Sequence, residues 1–75
     1  MCLAIPMEIQ KVDGMVATCV AKGISRQVNL VLLEEGAFST GDYVMVHVGY
    51  ALQVISVEEA QATWELLDEM VNHDA

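Results

Sequence analysis

Apolar and polar residues alternate most regularly between Tyr43 and Val48. Val44, Val46 and Val48 fall on one side of an extended chain, and Tyr43, Met45 and His47 on the other. A period of two in β-branched residues predicts a strand whose valine face belongs to the core. Gly49 interrupts it, and with no Cβ it permits a bulge or a close approach by other backbone or a ligand. Pairing is expected to resume through Leu52, Val54 and Ile55. Earlier in the chain, Pro6 lacks a ladder donor and suits the first residue of a strand or an edge. After it, Met7, Ile9 and Val12 alternate with Glu8 and Gln10. Asp13-Gly14 predicts a hairpin, since both residues tolerate positive φ. Met15 to Val20 is the return strand, with Val16, Thr18 and Val20 facing one way and Met15, Ala17 and Cys19 the other. Ala21-Lys22-Gly23 makes the next turn. A third strand follows, with Ile24, Val28, Leu30 and Leu32 on one face and Ser25, Gln27 and Asn29 on the other. Arg26 falls on the apolar face, where it must either snorkel or meet a carboxylate or carbonyl. Glu34 to Gly41 reads as a loop.

After Ser56 the period changes. Ser56-Val57-Glu58-Glu59 has the form of a capping box, in which hydroxyl and carboxylate satisfy backbone N–H groups reciprocally. Val57, Ala60, Trp64, Leu67 and Val71 then recur at helical spacing, with Leu66 and Met70 beside them and the acidic residues outward. The stripe is expected to pack on the chain's own barrel, with Asn72 as a C-cap and His73 to Ala75 as a frayed tail. The expected architecture is one domain over residues 1–75, mainly β. It is a small OB-like, partly closed barrel with strands over about 5–55 and one C-terminal helix over about 57–72. Closure would protect strand edges.

Composition narrows the function classes. The chain has 75 residues, of which 55% are hydrophobic, enough to build a core without staples. Its net charge of −8 leaves Lys11, Lys22 and Arg26 as the only basic residues. Nucleic-acid binding neutralises phosphates with Lys and Arg, so an oligonucleotide-binding role is disfavoured, as is an anionic membrane surface. No apolar run reaches the ~18 residues needed to span a bilayer, and no secretory signal is visible, so a cytoplasmic protein is expected. Two cysteines, Cys2 and Cys19, are too few for a disulfide framework. Phosphate-binding glycine loops, Cys-x-x-Cys, His-Glu-x-x-His and Gly-x-Ser-x-Gly are absent from the sequence.

The candidate chemistry concentrates on two residues. Cysteine at position 2 is small enough for methionine aminopeptidase to remove Met1. Cys2 would then carry a free amine and a thiol on adjacent carbons, able to close a five-membered chelate on a metal. The alternative is a buried cysteine acting as a small hydrophobe, although chain termini usually fray. His47 is either a half-buried strand histidine or a second ligand. A Cys2–His47 nucleophilic pair has no third orienting group, and so small a chain offers little enclosed pocket, so an enzyme is not expected. Met1, Cys2 and His47 could gather copper(I) or zinc, giving a thiol-based metal carrier or redox protein.

The opening Met1-Cys2-Leu3-Ala4-Ile5-Pro6 and the segment Gly23-Ile24-Ser25-Arg26-Gln27-Val28 carry a resemblance to a known family. It continues through Gly41-Asp42-Tyr43-Val44 and His47-Val48-Gly49-Tyr50-Ala51. In order and spacing the chain resembles the HypC/HupF/HybG hydrogenase maturation chaperones. The resemblance implies a cytoplasmic accessory protein of [NiFe]-hydrogenase assembly that pairs with the iron–sulfur protein HypD. It implies a transient iron bearing cyanide and carbon monoxide, carried to the precursor of the hydrogenase large subunit, and no permanent cofactor. The family's N-terminal cysteine matches Cys2 and its motif histidine matches His47. A docking face over Cys2, Pro6, Arg26, Gly49 and Tyr50 is then expected. Otherwise Gly49 only relieves barrel curvature and Tyr50 caps the core.

Overall fold

The structure, a computed structural model, describes residues 4–73, with side chains through Met70. Five strands, β1 (Ile5–Asp13), β2 (Val16–Ala21), β3 (Ile24–Asn29), β4 (Tyr43–His47) and β5 (Tyr50–Ile55), precede one helix, α1 (Val57–His73). They close into a barrel in the order β1-β2-β3-β5-β4, with β4 returning to β1. The expected small β-barrel with one C-terminal helix is the observed fold. β1 serves two neighbours: its first half pairs with β4 and its second half with β2. A bulge between Ile9 and Lys11 turns the strand from one to the other. The ring is thinnest between β3 and β5, joined in parallel by the single pair Asn29↔Tyr50. The Asn29 N–H donates to the Gly49 carbonyl at 2.8 Å beside it.

Three two-residue turns set the register. Lys22-Gly23 joins Ala21 to Ile24, with φ of 54° and 79°. Val48-Gly49 joins His47 to Tyr50, with φ of 53° and 83°. Both central residues are left-handed in each, the geometry of a type I′ hairpin. Gly49 is therefore not a break within one strand but the second turn residue between two. Val48, expected in the core, stands in that turn and is 72% exposed. The first hairpin also sits one residue later than Asp13-Gly14. Asp13 pairs with Val16, so Gly14 and Met15 make the turn, and Met15 is exposed instead of following Ala17 and Cys19 inward.

Met7, Ile9, Ala17, Cys19, Val28, Leu30, Val44, Val46 and Ala51 fill the interior. β3 ends sooner than the alternation suggested. The Asn29 side-chain oxygen accepts the Val31 N–H at 2.8 Å, an Asx turn that curls the chain out of the strand. Leu30 still enters the core, its N–H bonded to the Met15 carbonyl, but Leu32 is left 59% exposed. The loop that follows returns to the bulge: Ile9 donates to Asp42 and receives from Gly41, at 2.9 and 2.8 Å. Leu33 and Phe38 pack against the core from this side.

The helix begins at the capping box. Glu59 N–H bonds the Ser56 hydroxyl at 3.0 Å and Ser56 N–H bonds the Glu59 carboxylate at 2.9 Å. Ala60 and Ile55 are buried outside the main core cluster, and Pro6 is buried as well. The stripe packs only in part on its own barrel: Ala60 is buried and Trp64 and Leu67 are half-buried, but Val57 is exposed, as are Leu66 and Met70 beside the stripe. Asn72 lies inside the helix and not at its cap. Among the described residues no helix is long and apolar enough to cross a membrane.

Candidate functional site

The pairing Ile5↔Val46 sets the start of β1 against the end of β4, one residue before His47. His47 is half-buried and faces Tyr50 across the Val48-Gly49 turn. A cleft of about 240 Å3 opens at this end of the barrel. Its floor includes the interior side chains Met7, Val28 and Val46, and its rim includes Arg26, Val48 and Gly49. Arg26 and Gly49, far apart in sequence, thus border one cleft. Tyr50 is exposed next to Gly49 and holds the seam to Asn29. Cys2 lies outside the described residues, two positions before Ala4.

Each side chain owes its place to a local cause. Arg26 stands opposite Cys19 in the β2–β3 ladder but is exposed, its guanidinium donating to the Ser25 carbonyl at 3.0 Å. It snorkels to the rim rather than pinning an ion pair. Cys19 is fully buried, and burial pushes its thiol above the ordinary range, so it stays protonated and inert. Gly49 is required by its φ, and a Cβ there would meet nothing within 4 Å. Its need is conformational, not steric. Val48 is the residue that sequence reasoning missed. A β-branched side chain at φ 53° is strained, and this one is spent on solvent. Read as a turn dipeptide, Val48-Gly49 would have announced it.

Pro6 is placed differently from the others. It is fully buried under α1, where its carbonyl accepts the Trp64 indole N–H at 3.0 Å. Lys22 lies over the same indole, 5.1 Å from its centre, and bonds Asp68 at 2.9 Å. These residues border a second groove of about 430 Å3 between helix and barrel, into which Tyr43 and Glu8 also face. Nothing in the spacing of Lys22, Trp64 and Asp68 foretold their meeting, although Trp64 is the chain's one tryptophan.

Comparison with known proteins agrees with the motifs that border the first cleft. The HupF/HypC family model matches residues 1–67, from the opening motif to the middle of α1. The chain belongs to the HupF/HypC family. A hydrogenase maturation factor HypC of Rhizobium leguminosarum bv. viciae is 42% identical over 77 residues, covering 100% of this chain and 99% of its own. Those of Azotobacter chroococcum mcd 1 and Escherichia coli K12 are 41% and 39% identical, each covering 93% of this chain and 82% of the relative. The family match spans both Cys2 and the barrel end with His47, Gly49 and Tyr50.

Proposed function

We propose that this chain is a cytoplasmic hydrogenase maturation chaperone, a binding module and not a catalyst. It pairs with a HypD-type iron–sulfur protein. It carries an iron bearing cyanide and carbon monoxide, as cargo, to the precursor of a [NiFe]-hydrogenase large subunit. Family membership supports the maturation role, as do relatives named hydrogenase maturation factors. The observation that carries the site reading is convergence. The start of β1, the strained Val48-Gly49 turn and Arg26 share one end of the barrel, and Ile5, the first residue of β1, is three positions from Cys2 along the chain.

Cys2 is three positions before Ile5, where β1 begins, and three residues of chain reach at most about 11 Å. A thiolate offered by a short lead is a soft ligand, and the imidazole of His47 is of the kind that also suits iron. A ligand set of few members can bind the cargo and give it up again. Val48, Gly49 and Tyr50 supply the docking surface, an apolar knob and an amphipathic ring held at a fixed angle by the hairpin.

The test is Cys2→Ala in cells that express the other maturation proteins. Hydrogenase activity and pairing with the HypD-type protein should be lost, while the thermal transition stays within a degree or two. Anaerobically purified wild-type complex should show infrared bands of iron-bound cyanide and carbon monoxide, and the Cys2→Ala protein should not. Full maturation by the variant, or a wild-type complex without those bands, refutes the reading. Copper or zinc in place of iron would favour a general thiol-based carrier.

A further inference from the structure

β3 carries more strand than the barrel uses. Asn29 turns its N–H to the Gly49 carbonyl, away from β2, so its pair with Val16 exchanges no bonds within the β2–β3 ladder. Such pairs recur at every second residue, so Thr18↔Gln27 and Val20↔Ser25 are of the same kind. The N–H and C=O of Ser25 and Gln27 therefore face away from β2, on the side where β5 meets Asn29. β5 does not reach them, because its hairpin with β4 turns at Val48-Gly49 and Asn29↔Tyr50 is its single pair with β3. Among the described residues, Gln27 has no backbone partner on that side, and the Ser25 carbonyl accepts only the Arg26 guanidinium, at 3.0 Å. Ile24 to Gln27 are all exposed, and the cleft of about 240 Å3 is bordered by this open edge.

The charge on this cleft is also unlike that elsewhere. The chain has 11 acidic residues against 3 basic ones, yet Arg26 borders the cleft with no Asp or Glu in its lining. The second groove holds Glu8, Glu65 and Asp68, and there Asp68 already takes Lys22.

We propose that the β3 edge from Ile24 to Val28 takes an extended, acidic segment of the HypD-type protein as an added strand, laid against the Val48-Gly49 turn. A row of outward N–H and C=O groups is matched by another extended chain, which makes the occupant a strand and not a helix. A carboxylate of that segment takes the Arg26 guanidinium, and the Ser25 carbonyl so released accepts an N–H of the incoming chain. The edge is continuous with the docking surface of Val48, Gly49 and Tyr50, so one partner covers both. The inference deepens that docking reading and rests on it. A charged side chain on a strand edge can instead serve only to keep copies of one chain apart, and the variants separate the two roles.

Gln27→Pro deletes the outward N–H and sets a ring in the path of the added strand, but it breaks no bond to β2. Gln27→Ala keeps the N–H, and Arg26→Gln removes the charge. Affinity for the HypD-type protein at low and high salt, the thermal transition and the oligomeric state are measured on the full chain. Gln27→Pro should lower affinity about tenfold or more at either salt with the thermal transition nearly unchanged, and Gln27→Ala should stay within about twofold. Arg26→Gln should lose about threefold at low salt and almost nothing at high salt. Hydrogen exchange needs no variant: the Gln27 amide should exchange freely in the free chain and become protected in the complex. Protection already present in the free chain overturns the proposal, because this chain or a second copy then fills the edge. Arg26→Gln that self-associates with partner affinity unchanged identifies a mere guard and overturns it too. If the wild type does not pair with the HypD-type protein, the docking reading falls together with the added strand. If the wild type pairs, and Gln27→Pro pairs equally well, only the added strand falls.

Discussion

The barrel has two hairpin turns of one geometry and opposite use. Lys22-Gly23 and Val48-Gly49 both place two residues in the left-handed region, and in neither is the first residue the Asn or Asp that such turns favour. At the first, the side chain folds back: Lys22 covers Trp64 and bonds Asp68, so the turn clasps α1 to the wall. At the second, nothing folds back, and Val48 projects into solvent. One strained turn is tied into the fold by its own side chain. The other bears its strain for no intramolecular return, and it stands beside the cleft, His47 and the lead to Cys2. Strain without an internal partner is what the docking surface proposed above would put to use.

Three substitutions break or sharpen this contrast, in falling order of effect. Gly49→Val puts a β-branched residue at φ 83°. It should cost about 2–3 kcal/mol in denaturant unfolding although its Cβ meets no neighbour. A variant as stable as the wild type would show that the turn is not held in this conformation. Val48→Asn removes strain that nothing inside the molecule uses. A gain of about 1 kcal/mol is expected, together with weaker binding of the HypD-type protein. Higher stability with undiminished binding would mean the two turns differ by accident. Lys22→Asn relieves the same backbone strain but gives up the exposed ion pair and the cation–π contact. The two effects nearly cancel, leaving a net change within about 0.5 kcal/mol, measured by the same unfolding titration.

Much of this was legible in the sequence, where local chemistry decides the outcome. The Val44–Val46 alternation, the Lys22-Gly23 turn and the Ser56–Glu59 box each form as their residues dictate. Val48 was misplaced because period-two alternation does not itself say where a strand stops. Only the positive φ of a following glycine does, and valine is a poor herald of it. Leu32 was carried too far along β3 for a related reason. The Asn29 side chain competes with the ladder for the Val31 N–H, and a pattern of apolar residues is blind to that contest. The approach of Gly49 to Arg26 across the cleft follows from barrel closure. The Trp64–Pro6 bond spans 58 positions and was not readable from any spacing. The residues of the proposed site other than Val48 could be named from motifs, but the meeting of Lys22, Trp64 and Asp68 beside Pro6 could not.

The thin seam of the barrel has its own consequence for motion. Asn29 alone pairs β3 with β5, and the same residue pairs with Val16, donates to Gly49 and accepts from Val31. A ring closed at one residue has its first point of opening settled in advance, because local opening begins where the fewest bonds must break together. Opening there would part β3 from the Val48-Gly49 turn and widen the very cleft whose floor is Met7, Val28 and Val46. The Asn29 amide, protected by its bond to Gly49, is therefore the natural hydrogen-exchange reporter of a breathing barrel end. The β1–β2 amides at the far end of the ladder report the rest of the fold.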